Sequence, residues 1–333
     1  MSGRRGHLWH DDISRSAPAE SRRCELSGAF VVPDAWKTVR LVLIRPPGWP
    51  HAAAIIDVME TLMHGFRALG IAVDIAENKA RAGAVNIYFM GFFMGESEVS
   101  HLPPNAIIYN FEQVGGDIAF LTPSFRAALA RCRVWDYSPR NMARLSPHIG
   151  HGRRQVVPVG YAPALSRIPR APVQDIDVLF YGTVNERRLD ILRGLQQSGL
   201  RLHRAYGIYG AERDALIARA KLVLNIHAHP SKVLEVVRIS YLLANRKAVV
   251  TELDAETEFD AGLRDAVAGV PADGLVAECH RLIADAEARR ELEDRGFAIF
   301  QKRDIVAVLR QAIIEADRFD RGESGRTYPG QAP

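Results

Sequence analysis

Along most of this chain, short apolar runs alternate with stretches whose apolar residues recur at helical spacing, and few architectures accommodate that alternation. Val39-Arg40-Leu41-Val42-Leu43-Ile44 has the hydrophobicity of a parallel strand buried on both faces. A turn-forming segment, Arg45-Pro46-Pro47-Gly48-Trp49-Pro50, separates it from Ile55, Val58, Met59, Leu62, Met63 and Phe66. Those six share one side of a helix that closes near Gly70. Strand-like runs follow over 71–75, 85–89, 106–110 and 155–160. A second series opens with Asp177-Val178-Leu179-Phe180-Tyr181-Gly182. It predicts helices over 186–198, 211–220 and 232–243, strands over 200–206, 222–227 and 248–251, and a charged helical stretch over 284–314.

Two strand–helix series in one chain predict an α/β protein with two Rossmann-like, doubly wound parallel-sheet domains facing a cleft. At 333 residues the chain has the length for two such cores. Residues 162–172 hold three prolines and no periodicity, so they mark the join. The expected division is an extension over 1–36, a first domain over 37–161, a linker over 162–175, a second domain over 176–320 and a disordered tail over 321–333. The formal charge of +4 is dispersed, with no aromatic residues interleaved among a basic stripe, and this argues against a nucleic-acid partner. Cys24, Cys132 and Cys279 are too far apart for a zinc site or a disulfide framework. No apolar signal or bilayer-length run is present, and the expected compartment is the cytoplasm, with peripheral membrane contact through a lipid-linked acceptor left open.

In an open parallel sheet, ligands bind beyond the carboxyl ends of the strands, where helix N-termini offer unpaired N–H groups. That rule selects four loops. In the first, Gly182 permits a close backbone approach, Thr183 or Asn185 can cap the next helix, and Arg187 and Arg188 can grip a phosphate. The second, Tyr206-Gly207-Ile208-Tyr209-Gly210, brings Tyr209 toward a base or ribose. The third delivers Asn225 and His227 from a strand, then Lys232, Glu235 and Arg238 from a helix, with Glu235 and Arg238 three residues apart on one face. A carboxylate there can accept ribose or sugar hydroxyls, and the cations can neutralise a diphosphate leaving group. The bland alternative for each loop is a capped helix or a surface ion pair. The fourth loop, Tyr109-Asn110-Phe111-Glu112-Gln113, offers Glu112 as a base for an acceptor hydroxyl, and His51 competes for that role. Asp175-Ile176-Asp177 spells a cation-binding pattern but precedes its strand, at the wrong end of the sheet. His227 and His229 lack a third ligand at convincing spacing. No metal and no cofactor are expected.

The pieces Asp177 to Gly182, the Arg187-Arg188 helix, Leu224-Asn225-Ile226-His227 and the block from Arg238 to Val250 resemble the C-terminal domain of retaining GT-B glycosyltransferases, especially their spore-maturation-protein-like bacterial branch. Tyr109 to Gln113 and Trp135 to Ser138 resemble segments of bacterial proteins of the same kind. The resemblance implies transfer of a sugar, hexosyl in type, from a nucleotide-sugar donor to a hydroxyl acceptor on a glycan, a lipid carrier or a small molecule. Gly182, Thr183, Arg187, Tyr209, His227, Lys232, Glu235 and Arg238 would face the donor. The chain departs from the pattern where Tyr241 stands in place of the family's ribose-binding glutamate and Asn245-Arg246 replace its glycine turn. Glu252 is then a candidate for the relocated contact. Two alternatives share the fold: a nucleotide-sugar epimerase, and a catalytically silent nucleotide- or sugar-binding module. Donor, acceptor, stereochemistry and oligomeric state are not encoded in any motif.

Overall fold

The computed structural model describes residues 30–115, 120–150, 153–228, 232–258 and 260–323. The first half contains β1 (Thr38–Leu43), α1 (Ile56–Ala68), β2 (Ala72–Glu77), β3 (Val85–Phe89), α2 (Glu96–Ser100), β4 (Ile107–Asn110), α3 (Pro123–Arg131), β5 (Arg133–Asp136), α4 (Pro139–Leu145) and β6 (Arg154–Val156). The second contains β7 (Ile176–Tyr181), α5 (Glu186–Gln197), β8 (Leu202–Ala205), α6 (Gly210–Arg219), β9 (Ala220–Asn225), α7 (Val236–Ala244), β10 (Ala248–Glu252), β11 (Ala268–Val270), α8 (Leu275–Ala284), α9 (Ala286–Gln301) and α10 (Ile305–Asp320).

All strand pairs are parallel, in the orders β2-β1-β3-β4-β5-β6 and β11-β10-β9-β7-β8. The apolar runs explain this. Every residue of β3, β4 and β10 is buried, as a strand covered on both faces requires, whereas the edge strand β2 carries two charged residues and is half exposed. Two apolar layers flank the second sheet, one holding Leu179, Val223 and Val249, the other Val178, Leu222 and Val250, in the alternation a strand imposes. Each such side chain stabilises the fold by roughly 1.5–3 kcal/mol.

The charged stretch over 284–314 is not one helix. Asp285 accepts from the Glu287 and Ala288 amides and starts α9, and Asp304 accepts from Val306 N and starts α10. The last helix returns to the first half, where α10 packs on α1 across Gly65. A Cβ at Gly65 would lie 2.7 Å from Leu309 Cδ1, so a larger residue there would require the Leu309 side chain to shift. Gln155 Nε2 donates to Ala312 O (3.1 Å) and Arg133 Nη2 to Asp320 Oδ1 (2.7 Å), pinning α10 to the first sheet. No described helix is long and apolar enough to cross a membrane. Most of the 1–36 extension and most of the 321–333 tail lie outside the described residues.

Candidate functional site

In the second sheet the chain runs β7 to β8 on one side, then crosses to β9 on the other. The carboxyl ends of β7 and β9 therefore flank a topological switch point, where the loops diverge and leave a crevice. Gly182 ends β7 with φ +132°, a conformation that side chains avoid. A Cβ there would sit 2.7 Å from Arg238 Nη2, so the glycine lets the guanidinium cross the strand end. Asn185 caps α5 through its acceptance from Arg188 N (3.0 Å) and fixes the paired arginines that follow.

Around this crevice the polar side chains form one connected network. Arg188 is buried; it donates through Nε to Ile226 O (3.0 Å) and through Nη1 to Thr183 O (2.7 Å), tying the β7 and β9 loops together. Burial pulls its pKa down to about 10, helped by the charges of Arg238 and Arg187 and opposed by Glu235 and Glu252. Arg187 makes a bidentate pair with the buried Glu252, which also accepts from His227 N (3.1 Å). His227 Nδ1 lies 3.1 Å from Glu235 Oε2, and Asn225 Nδ2 donates to that same oxygen (2.8 Å). Arg238 Nη1 donates to Asn225 Oδ1 (2.7 Å), and its guanidinium sits 5.1 Å over the Tyr181 ring. Burial alone would raise the Glu235 pKa. The hydrogen bond and charge from His227, the charge of Arg238 and the Asn225 amide overcome it and hold the carboxyl at about 2. Three guanidinium groups meet two carboxylates here, and Arg238 Nε is buried with no partner among the described residues.

Two expectations about this loop need correction. Glu235 and Arg238 do not share a helical face, because α7 begins at Val236 and Glu235 occupies the N-cap position. Lys232 lies at φ +48° and Val233 bridges to Glu258, so the segment is not helical before Glu235. Lys232 also turns away from the cluster, donating to Asp254 Oδ2 (2.6 Å) and Glu256 Oε2 (2.9 Å). His229 lies outside the described residues. Asp175 is paired with Arg219, and Asp177 with Arg201 and Lys221, at the amino end of β7. Thr183 is exposed beside Gly182.

The first half supplies the opposite wall. Glu112 follows β4, and its carbonyl accepts from Asn110 Nδ2 and Asn141 Nδ2 (3.0 Å each). Asp136, buried at the end of β5, accepts from those same amides and from Ser138 N (2.8 Å), so the Glu112 loop is fastened to the sheet. Burial pushes the Glu112 carboxyl up to about 6 and that of Asp136 up to about 8. His51 has both ring nitrogens engaged, Nδ1 with the Tyr209 hydroxyl (2.6 Å) and Nε2 with the Tyr206 hydroxyl (2.9 Å). Both contacts cross from one half to the other, so His51, Tyr206 and Tyr209 bridge the two halves.

Three further residues near the crevice take roles that no local motif states. The Tyr137 ring stacks on Phe111 (5.6 Å) and its hydroxyl donates to Leu234 O (3.3 Å). Burial, with the charges of Asp136, Glu235, Glu258 and Glu112, lifts the Tyr137 pKa well above the ordinary phenol value, so acids from both halves surround it. Glu258 accepts from Ser138 Oγ (2.5 Å) and Arg140 N (2.8 Å), capping α4 from across the cleft. Tyr241, where the sequence resemblance led to the expectation of a glutamate, is buried under Arg213, whose guanidinium lies 4.1 Å over its ring. Tyr241 also donates to Asp214 Oδ2 (2.8 Å) and accepts from Arg167 Nε (3.0 Å), so it belongs to a network behind the crevice. Only the folded chain reveals these roles, because the partners are 26 to 120 residues apart.

No protein-family model matches the chain, and no curated protein matches it in sequence. Solved structures do share its fold. AviGT4, a glycosyltransferase involved in avilamycin A biosynthesis, aligns with 86% of this chain and 98% of its own at 16% identity and a TM-score of 0.55. Anabaena HepE in complex with UDP-glucose aligns over 85% and 99% at 13% identity and 0.55. Sucrose-phosphate synthase from Thermosynechococcus elongatus aligns over 86% and 100% at 13% identity and 0.56. At these identities the likeness establishes architecture: the chain has the GT-B fold.

Proposed function

We propose that this protein is a metal-independent glycosyltransferase that carries a sugar, hexosyl in type, from a nucleotide-sugar donor to a hydroxyl acceptor. The observation that carries the reading is the convergence of Arg187, Arg188, His227 and Arg238 at the switch point, with one buried Arg238 N–H unmet. A diphosphate oxygen answers that donor. Guanidinium groups held beforehand by protein contacts neutralise charge as it develops on the leaving group, which is the part of the reaction most sensitive to preorganised electrostatics. Glu235, kept ionised, accepts hydroxyl groups of the sugar or ribose. Glu112, with a pKa near neutrality, takes the acceptor proton as the acceptor oxygen attacks the anomeric carbon and the nucleoside diphosphate departs. That HepE was crystallised with UDP-glucose supports a donor of this class for the shared fold.

A thermal-shift series with UDP, GDP, dTDP, ADP and CMP tests the donor half. A nucleotide at 100 times its Kd adds about 2.7 kcal/mol to apparent stability. Arg238→Ala should abolish that gain, read against the variant's own unliganded melting temperature, which falls because Arg238 also opposes the buried Glu235 carboxylate. Stabilisation equal in wild type and variant removes Arg238 from the site. Product analysis with labelled donor then separates transfer from epimerisation. Binding without either reaction identifies a silent module.

A further inference from the structure

A second polar cavity of roughly 300 Å3 lies at the amino ends of the strands of the second sheet, away from the crevice. Its walls come from three places: Ile168 and Arg170 between the halves, Asn245 to Lys247 after α7, and Arg290, Glu293 and Asp294 on α9. The volume is at the low end of about 300–1,000 Å3 for small-molecule sites, so it suits a compact ligand.

The backbone is committed to this arrangement. Arg246 occupies the left-handed region at φ +51°, the position after a helix where glycine is the unstrained choice. A strained residue calls for an explanation in what its side chain does. The Arg246 guanidinium stacks 3.7 Å over the Phe297 ring and pairs with Asp294 (3.0 Å), which holds it at the cavity. Lys247 is buried, and its Nζ donates to Ala220 O (3.1 Å). Burial draws its pKa down to about 8, with Glu293 opposing and Arg170 assisting. Glu293 is 4% exposed; one oxygen takes Arg170, and the other, Oε1, has no partner among the described residues. Asn245 Oδ1 accepts from Arg167 N and Ile168 N (2.9 and 2.8 Å), so the linker wall is fixed as well.

We propose that this cavity binds a phosphate monoester carrying hydroxyl groups, its phosphate met by Arg246, Lys247 and Arg290 and a hydroxyl donated to Glu293 Oε1. A phosphate answers the excess of cations, and a hydroxyl answers the unpaired carboxylate oxygen, which a bare phosphate dianion would only repel. The ligand would touch both the linker and the turn that starts β10, whose far end carries Glu252. This inference is independent of glycosyl transfer.

Calorimetric titration with ribose 5-phosphate, inorganic phosphate and ribose tests it. Saturable binding is expected for ribose 5-phosphate, weaker binding for phosphate, and none for ribose. Arg246→Gly, which relieves the left-handed strain, and Arg290→Ala, at an exposed position, should each weaken ribose 5-phosphate at least about tenfold, the worth of one charge-assisted hydrogen bond. Should Arg246→Gly not fold, Arg290→Ala alone decides. Arg187→Ala should leave this binding intact. Absence of saturable heat, affinity indifferent to the substitutions in this cavity, or loss in Arg187→Ala overturns the assignment. Phosphate binding as tightly as ribose 5-phosphate overturns the hydroxyl-bearing class.

Discussion

Replacing Glu235 by Gln isolates the electrostatics of the crevice. The side chain keeps its shape and one acceptor oxygen but loses the charge that His227 and Arg238 oppose. The folded-state pKa of about 2 lies below the ordinary value of 4.5. A depressed carboxyl contributes stability that is fully present above its unfolded pKa and disappears as pH falls through the folded one. At about 1.36 kcal/mol per pKa unit, the contribution is on the order of 3 kcal/mol at pH 7, and the side chain is 13% exposed, so screening is small. Near pH 3 the unfolded carboxyl is already protonated and about 1 kcal/mol remains. Glu235→Gln should therefore melt well below wild type at pH 7, with the gap narrowing by more than half near pH 3. Differential scanning calorimetry at both values measures this. A gap that stays constant between them would refute the assignment of Glu235 as an ionised partner of His227 and Arg238.

Other substitutions probe other parts of the molecule. Gly182→Ala at φ +132° should cost about 1–3 kcal/mol in a denaturation curve and weaken nucleoside diphosphate binding as Arg238 is displaced; an unchanged affinity would show that Arg238 does not hold the ligand. Asp57→Ala leaves Arg213 with Asp214 as its remaining acid, so the loss should fall near 3 kcal/mol, the lower end for a broken buried pair, and a loss under about 1 kcal/mol contradicts the account. Glu112→Gln should lower kcat/KM by roughly 10²–10⁴ and remove the rise in activity through about pH 6 that deprotonation of this base produces; a wild-type pH profile in the variant excludes Glu112 as the base.

The strands were legible because each is a short apolar run. The expected strand over 85–89 matches β3, and the run at Asp177 finds β7 to within a residue. The location of the crevice followed from chain order, since the loops after Tyr181 and Asn225 had to meet once β7 and β9 became neighbours. What the sequence could not convey was pairing. Arg187 and Glu252 are 65 residues apart, and no local pattern states that they neutralise each other. The start of α7 was misplaced because Lys232 to Leu234 carry helical spacing, yet Lys232 adopts a left-handed conformation and Val233 bridges to Glu258. Short elements such as α2, β11 and the Asp304 cap lack enough residues to show a period.

Contacts between the halves fall into two kinds, and the difference bears on how a donor enters. Asp57 on α1 and Arg213 on α6 are buried on both sides, with Arg167 adding a bond to Asp57 and another to Glu60. Separating such a pair strands charge in a poorly solvated space, at a cost of several kcal/mol. At the mouth, His51 meets Tyr206 and Tyr209 through hydroxyl groups, and Tyr206 is 60% exposed. Water replaces those bonds at about 0.5–1.5 kcal/mol each. Glu258 on Ser138 and the Arg140 amide is intermediate, a charge-assisted cap with solvent nearby. Breaking the contacts on the tyrosine side is therefore cheaper than separating the Asp57–Arg213 pair. The crevice itself already sets two carboxylates, Glu235 and Glu252, against its three guanidinium groups. Under the proposed function, a diphosphate would enter by exchange: it would have to displace Glu252 from Arg187, matching the two-point grip that the carboxylate gives up.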